Sequence, residues 1–294
     1  MRYDASGQEW TAELRFPPLQ AGECEDIFVG SFGYADQMRS VYGVAAQARD
    51  FQLDKALEAA LQNRALLARL KPRNPGARDV LILVVTSIRY RYRAQRIAAA
   101  LNSNSGPVII IVDERKLPKF TKVNLALAQA RQVGISFRWF VIIDDDVAVP
   151  PGFLDRFLDA SESVGLILAQ PAHRFHSYAA YAVTQRAPCS LVRATNYVEG
   201  GPIVGMHYSI LPDLTPFPEP RWAWGVDFLW SDQARRRGWP IGVVDAATFE
   251  HLRPIARNYS GQDAMQDTRA LLTLHGFNTS RRYLLDPGRI ALGW

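Results

Sequence analysis

Three consecutive carboxylates follow an apolar run in Phe140-Val-Ile-Ile-Asp144-Asp145-Asp146-Val-Ala-Val-Pro-Pro151. Side chains two apart in an extended segment point the same way, so Asp144 and Asp146 can face one point. Two carboxylates converging there repel each other unless a cation lies between them. Hard cations such as Mn2+ or Mg2+ prefer oxygen ligands and share them with substrate phosphates. The pair therefore reads as a bridge between a metal ion and a diphosphate. The same residues also suit an acidic turn in which one Asp caps the following helix and the others are solvated. Their place favours the first reading: they end a run apolar enough to be buried on both faces, and open α/β sheets bind ligands beyond such ends.

A frame must hold these residues. From about residue 78 the chain alternates apolar runs with amphipathic stretches, which predicts an α/β sheet, mostly parallel. Val80–Val85, Val108–Val112, Trp139–Ile143 and Leu166–Ala169 read as buried strands. Residues 92–101 and 121–132 read as helices between them, and Pro151 opens another with the apolar stripe Phe153, Leu154, Phe157 and Leu158. Residues 172–196 read as irregular, Tyr197–Val204 as a strand, and 212–220, with four prolines, as a loop. A helix over 226–237 stops at Gly238, a strand covers Ile241–Val244, and a last helix covers 262–275. Ahead of this frame, Phe51, Leu57, Leu61, Leu67 and Leu70 recur at helical spacing and predict one long helix over 44–71, ended by Pro72. Asp26-Ile-Phe-Val-Gly reads as a short strand. The organisation expected is an extension over 1–77 followed by an α/β domain over 78–294.

Composition bounds the functions this frame can serve. The 294 residues are 48% hydrophobic and 21% charged, which suits a globular chain with a sizeable core. The net charge of +5 and a pI near 9.3 come mostly from arginine, and suit a solvated basic surface or a phosphate-bearing partner. No zinc-finger spacing or RNA-binding aromatic signature occurs, so no nucleic-acid partner is expected. No apolar run is long enough for a signal peptide or a membrane span. Cys24 and Cys189 match no metal spacing and suit a reducing compartment. The expected location is cytoplasmic, with peripheral contact at the inner face of a membrane allowed by the basic surface.

Other residues carry chemistry outside the triplet. Asp227 follows a Trp-Gly turn at the start of a helix, where it can act as a general base or simply favour the helix dipole. Trp222 and Trp224 flank it and can stack on the C–H faces of an acceptor sugar or pack in the core. Glu199 can bind sugar hydroxyls or sit on the surface, and His173, Arg174 and His176 form a basic loop that can meet phosphate. Phosphatases of the haloacid-dehalogenase type also place Asp-x-Asp after a strand. They continue with Thr or Val where this chain has Ala148, and they use the first strand, whereas two apolar runs precede this one.

In order, Leu81–Thr86, Val108-Ile-Ile-Ile-Val-Asp113, Lys119-Phe-Thr-Lys-Val-Asn124-Leu-Ala-Leu-Ala and Asp144–Asp146 with Pro150-Pro151 resemble segments of GT-A glycosyltransferases of the family-2-like type. The resemblance covers roughly residues 78–255. Gln170-Pro171-Ala172, Val198-Glu199, Ala223-Trp-Gly-Val-Asp227, Gly242-Val-Val-Asp245 and His251-Leu252 are similar to a poorly characterised plant and bacterial group sharing that core. Where the family often carries Asp-Asp-Gly-Ser after its second strand, this chain has Asp113-Glu-Arg-Lys. The resemblance implies a GT-A, Rossmann-like sheet flanked by helices, a nucleoside diphosphate sugar donor and Mn2+ or Mg2+. It places Thr86, Ser87, Asp113, Lys119, Asn124 and Asp145 on the donor, and adds His251 to Asp144 and Asp146 as a metal ligand. It makes Asp227 the base of an inverting transfer to a glycan or glycolipid, with Glu199, Trp222 and Trp224 on the acceptor side. Nucleotidyl transfer, phosphate hydrolysis and a non-catalytic nucleotide-sugar or glycan module are the competing functions.

Overall fold

A computed structural model describes residues 49–71, 78–254, 259–276 and 289–293. Val80–Val85 (β1) is wholly apolar and almost wholly buried, and the sheet grows from it in both directions. Val108–Asp113 (β2) and Trp139–Asp144 (β3) pair with it in parallel, in a register that sets Val85 opposite both Asp113 and Asp144. The two acids therefore share one edge, the carboxyl end of the strands. Arg91–Ala100 (α3) connects β1 to β2, and Lys119–Gln132 (α4) connects β2 to β3.

Beyond β3 come Val147–Ala148 (β4), the helix Phe153–Val164 (α5), Leu168–His173 (β5), Ser190–Ala194 (β6) and Ile203–His207 (β7). Then follow the short helix Leu211–Leu214 (α6), Val226–Arg237 (α7), Ile241–His251 (β8), Gly261–Leu274 (α8) and Arg289–Gly293 (β9). Across the sheet the order is β2-β1-β3-β7-β5-β8-β6-β9, with β4 paired to β8. Strand residues alternate between two cores. Ile82, Val84, Val141 and Ile143 pack with α3 and α5 on one face. Leu81, Leu83, Phe140 and Ile142 pack with α4, α6 and α7 on the other. Helices on both faces make this an α/β fold.

The sheet is mixed, which corrects the mostly parallel expectation. Among the described residues three pairings are parallel and five antiparallel. The decisive strand is β7, which enters between β3 and β5 antiparallel to both. Residues 172–196, expected to be irregular, hold the end of β5 and all of β6. Pro212 sits in the first turn of α6, where proline is tolerated, so the proline-rich stretch opens on a helix.

The long helix expected over 44–71 is two helices among its described residues: 49–60 (α1) and Arg64–Ala68 (α2). Asn63 breaks it by capping α2, its side chain accepting from Ala65 N at 2.9 Å. The break lets Leu61 and Leu70 both reach the core that α5 covers. Residues 1–48, with the strand expected at Asp26, lie outside the described residues, as do residues 72–77. Among the described residues no helix is long and apolar enough to cross a membrane.

Candidate active site

The acidic triplet stands at the carboxyl edge of β3, and three neighbouring elements deliver their side chains to it. The first is β8, whose end pairs with β4 so that His251 lies opposite Val147. Leu252 N donates to Asp146 O at 2.8 Å, which locks this pairing beside the triplet. His251 Nε2 thereby lies 3.3 Å from Asp146 Oδ2. Two residues on, Arg253 donates from Nε to Asp146 Oδ2 at 2.9 Å and reaches Asp145 with its terminal nitrogen. Its guanidinium also lies over the Tyr90 ring at 4.6 Å.

The second element is the first turn of α4. Lys119 Nζ lies 2.8 Å from both carboxylate oxygens of Asp144. The third is the segment entering β7. Because β7 runs against β3, its amino end lies at the same edge as the triplet, and Asp144 N donates to Pro202 O at 2.8 Å. Gly201 passes so close that a Cβ there would stand 2.7 Å from Lys119 Nζ and 2.9 Å from Asp144 Oδ2. Glu199 is thus carried to the rim, its backbone N–H held by Gln170 Oε1. Its Oε2 lies 3.2 Å from Nε2 of the buried His173.

Asp227, in the first turn of α7, stands against Gly200, the residue after Glu199. The turn before it depends on Gly225, whose φ is +89° and whose Cβ would stand 2.8 Å from Thr268 of α8. Asp227 Oδ2 accepts from Tyr197 Oη at 2.7 Å and Gly200 N at 3.3 Å, while Oδ1 accepts from Phe228 N at 3.0 Å.

Burial and neighbours set the charges. Burial pushes Asp144 up, against the pull of Lys119. Burial pushes Asp145 up, opposed by the hydrogen bond from Thr86. Asp146 feels the same burial, but the hydrogen bonds and charges of His251 and Arg253 outweigh it and hold its carboxyl below the usual range. His251 is raised in turn: burial lowers it, and Asp146 more than restores it. Burial lifts Glu199 to about 8 and Asp227 to about 6, the latter against the donors on its carboxylate. His173 is driven well below its ordinary value by burial, so it is neutral.

The structure gathers some of the expected donor residues and assigns others elsewhere. Lys119 and Asp145 are at the site. Thr86 is buried and gives its hydroxyl to Asp145 Oδ2 at 2.6 Å, so it orients the triplet. Ser87 follows it, and its carbonyl closes the turn by accepting from Tyr90 N at 2.8 Å. Asp113 is 4% exposed and gripped by Arg115, through its backbone N–H at 3.0 Å and its guanidinium. Asn124 is spent on fold: its side chain donates to Phe217 O and Glu219 Oε1 and accepts from Phe217 N. Trp222 is stacked on Tyr259 at 4.8 Å and 15°, and the Arg221 guanidinium lies 4.7 Å from its ring centre. Trp224 meets Tyr259 edge-on at 5.7 Å. Of the basic loop, His173 lies at the rim, whereas Arg174 and His176 face α1.

Four residues escaped the sequence reading. Arg253 had a signal, since it follows His251 by two in an extended segment. Lys122 had a weak one, being an apolar-face position of α4. It is 4% exposed and donates to Thr86 O at 2.6 Å and Asp113 O at 3.2 Å, tying the ends of β1 and β2 beneath the triplet. Tyr259 and Tyr197 had none. Burial raises Tyr259 to about 12, and the charges of Asp144, Asp146 and Glu199 reach it.

Carboxylates and an imidazole are ligand types a divalent cation accepts. His251 Nε2 lies 3.3 Å from Asp146 Oδ2, Lys119 places a cationic head on Asp144, and the buried Nδ1 of His251 has no hydrogen-bond partner. As the side chains stand, no group of three His, Cys, Asp or Glu among the described residues is arranged to hold a metal ion. A cation here would compete with Lys119 and Arg253 for the carboxylates.

No protein-family model matches the chain, and no curated protein does. Among solved structures it is similar to the crystal structure of GalNAc-T7 with UDP, GalNAc and Mn2+, at 10% identity and a TM-score of 0.42. The match covers 68% of this chain and 48% of that one, so this chain spans about half the length of that protein. A likeness this loose assigns no family.

Proposed function

We propose that this protein moves a sugar from a nucleoside diphosphate sugar to an acceptor hydroxyl on a glycan or glycolipid, with inversion and with Mn2+ or Mg2+. What supports the reading is two chemistries brought close together by the segment Glu199–Gly201, which borders Asp144 at one end and Asp227 at the other. A cation-lined acidic triplet suits a diphosphate, and a half-buried carboxylate suits a base, with Glu199 near both. Asp144, Asp146 and His251 would hold the ion, whose charge would offset that of the departing diphosphate. Lys119 and Arg253 bring further positive charge to the same place. Asp227 takes the proton from the acceptor O–H, and that oxygen bonds to the anomeric carbon. The bond from that carbon to the diphosphate oxygen breaks, and its electron pair leaves with the diphosphate. Glu199 binds sugar hydroxyls between the two groups, and Trp222, Trp224 and Tyr259 wall the acceptor side.

A thermal-shift screen of nucleotide sugars with and without Mn2+ tests the binding half, since a true donor raises Tm by mass action. Product analysis with the selected donor tests the chemistry. Nucleoside diphosphate is expected, whereas released pyrophosphate would establish nucleotidyl transfer. Asp146→Asn should abolish the Mn2+ dependence of donor binding, and Asp227→Asn should leave donor binding intact while lowering turnover by about 10²-fold or more. Near wild-type turnover in Asp227→Asn overturns the base assignment.

A further inference from the structure

Behind Asp227 lies a buried polar pair that the reaction just described leaves without a role. Tyr197 has no exposed surface, yet it sits among apolar side chains with its hydroxyl 2.7 Å from Asp227 Oδ2. Its ring is braced edge-on by Tyr181 at 5.1 Å and 74°, and meets Phe228 at 5.3 Å with the rings tilted by 41°. Tyr181 is itself partly buried beside Tyr197, and burial pushes its phenol well above the ordinary value. A buried phenol that only filled space would be better replaced by phenylalanine, because an unmade hydrogen bond there is costly. Thr195 fixes the backbone of the same residue, its hydroxyl donating to Tyr197 O at 2.8 Å.

The donors are unevenly divided between the two carboxylate oxygens. Oδ2 takes two, from Tyr197 Oη and Gly200 N, which fills both of its lone pairs. Oδ1 takes one, from Phe228 N. We propose that Tyr197 is the positioning residue of the Asp227 base: by donating to Oδ2 it fixes the carboxylate's rotation and leaves Oδ1 as the atom that receives the acceptor's proton. The inference rests on Asp227 being the base. When the acceptor O–H breaks, its hydrogen bonds to the open lone pair of Oδ1, and Oδ2 stays held by Tyr197 and Gly200.

A hydrogen bond to the ionised form favours that form, so Tyr197 also works against the burial that lifts Asp227 to about 6. The groups acting on this carboxylate are Tyr197, Glu199, Gly200 N–H and Phe228 N–H, with Tyr181 behind Tyr197. Glu199 raises Asp227, whereas the others named by contact lower it.

The test needs no known substrate. Carbon-13 NMR of the full chain, labelled at aspartate carboxyls, follows Asp227 through pH, with its signal identified by its loss in Asp227→Asn. The wild type should titrate near 6. In Tyr197→Phe the midpoint should rise by about one pH unit, the tenfold that one hydrogen bond to a carboxylate is worth. If Tyr197→Phe does not fold, uniform 3-fluorotyrosine labelling keeps the shape and makes every phenol a stronger donor, and the Asp227 midpoint should then fall. An unchanged midpoint in whichever protein folds overturns the positioning role. Full turnover in Asp227→Asn would instead sink the base reading, leaving the titration result as it stands, so the two failures are separable.

Discussion

Glu199 is a rim carboxylate whose surroundings move it far from its behaviour in water. Burial lifts it to about 8, so at neutral pH it is a carboxylic acid beside a neutral imidazole. Its folded value lies above the unfolded one near 4.5. Stability is therefore greatest below that value and is lost as pH rises towards about 8. Glu199→Gln keeps the shape of the neutral acid and cannot ionise. It should match the wild type at pH 5 and exceed it at pH 8, by at most on the order of 4 kcal/mol, in urea unfolding of metal-free protein. Equal stability of the two proteins at both pH values would show that Glu199 is ionised throughout. At this scale the sequence was informative where chemistry is dense and local. Asp144 and Asp146 stand out because three carboxylates end an apolar run, and Asp227 because it follows Trp-Gly. Tyr197 and Tyr259 could not be found that way, since their roles arise from contacts with residues 30 and more positions away, and nothing in their local spacing encodes those partners.

The direction of β7 decides which residues reach the site. Had β7 run parallel to β3, the segment Glu199–Gly201 would lie at the opposite edge of the sheet, a strand's length from the triplet. Its apolar run is buried on both faces, as parallel strands are, and such a run encodes burial but not direction. That is why β1, β2 and β3 were legible to within a residue, whereas β7, expected over Tyr197–Val204 and found at Ile203–His207, and the sheet's mixed character were not. The same geometry makes Gly201 a sensitive position. A Cβ there would crowd Lys119 Nζ and Asp144 Oδ2 at under 3 Å, one being the flexible end of a lysine and the other a side-chain oxygen. Gly201→Ala should consequently fold, since both atoms can swing away, but the Lys119–Asp144 contact should be displaced. The expected outcome is a Tm within a few degrees of wild type together with about tenfold or greater loss of nucleotide-sugar affinity by calorimetry. Unaltered affinity would place the donor away from this edge.

On the scale of the whole molecule, α1 is bound to the far side of β8 by charge as much as by apolar contact. Glu58 has the guanidinium groups of Arg156, Arg174 and Arg186 within 3.7 Å, and Thr248 donates to it. Asp54, almost fully buried, accepts from His176 at 2.7 Å, and His176 also reaches Glu250 at 3.3 Å, next to His251. A sequence shows none of this, because its partners come from α1, α5, β8 and the loops after β5 and before β6, and arginines in separate segments look like surface charge. Removing Glu58 leaves three guanidinium groups, two of them largely buried, without their shared carboxylate. Glu58→Gln should therefore cost on the order of 2–4 kcal/mol in urea unfolding, more than a surface ion pair would. His176 adds a pH signature. Its hydrogen bonds to Asp54 and Glu250 raise it to about 9, so its contribution is complete below 6.5, its ordinary value, and is lost as pH rises through about 9. Wild type should lose stability between pH 7 and 10, and Asp54→Asn, lacking one of the two partners, should lose less over the same interval. If the two curves run parallel, His176 is not the link that holds α1, and the docking rests on other contacts such as the arginines around Glu58.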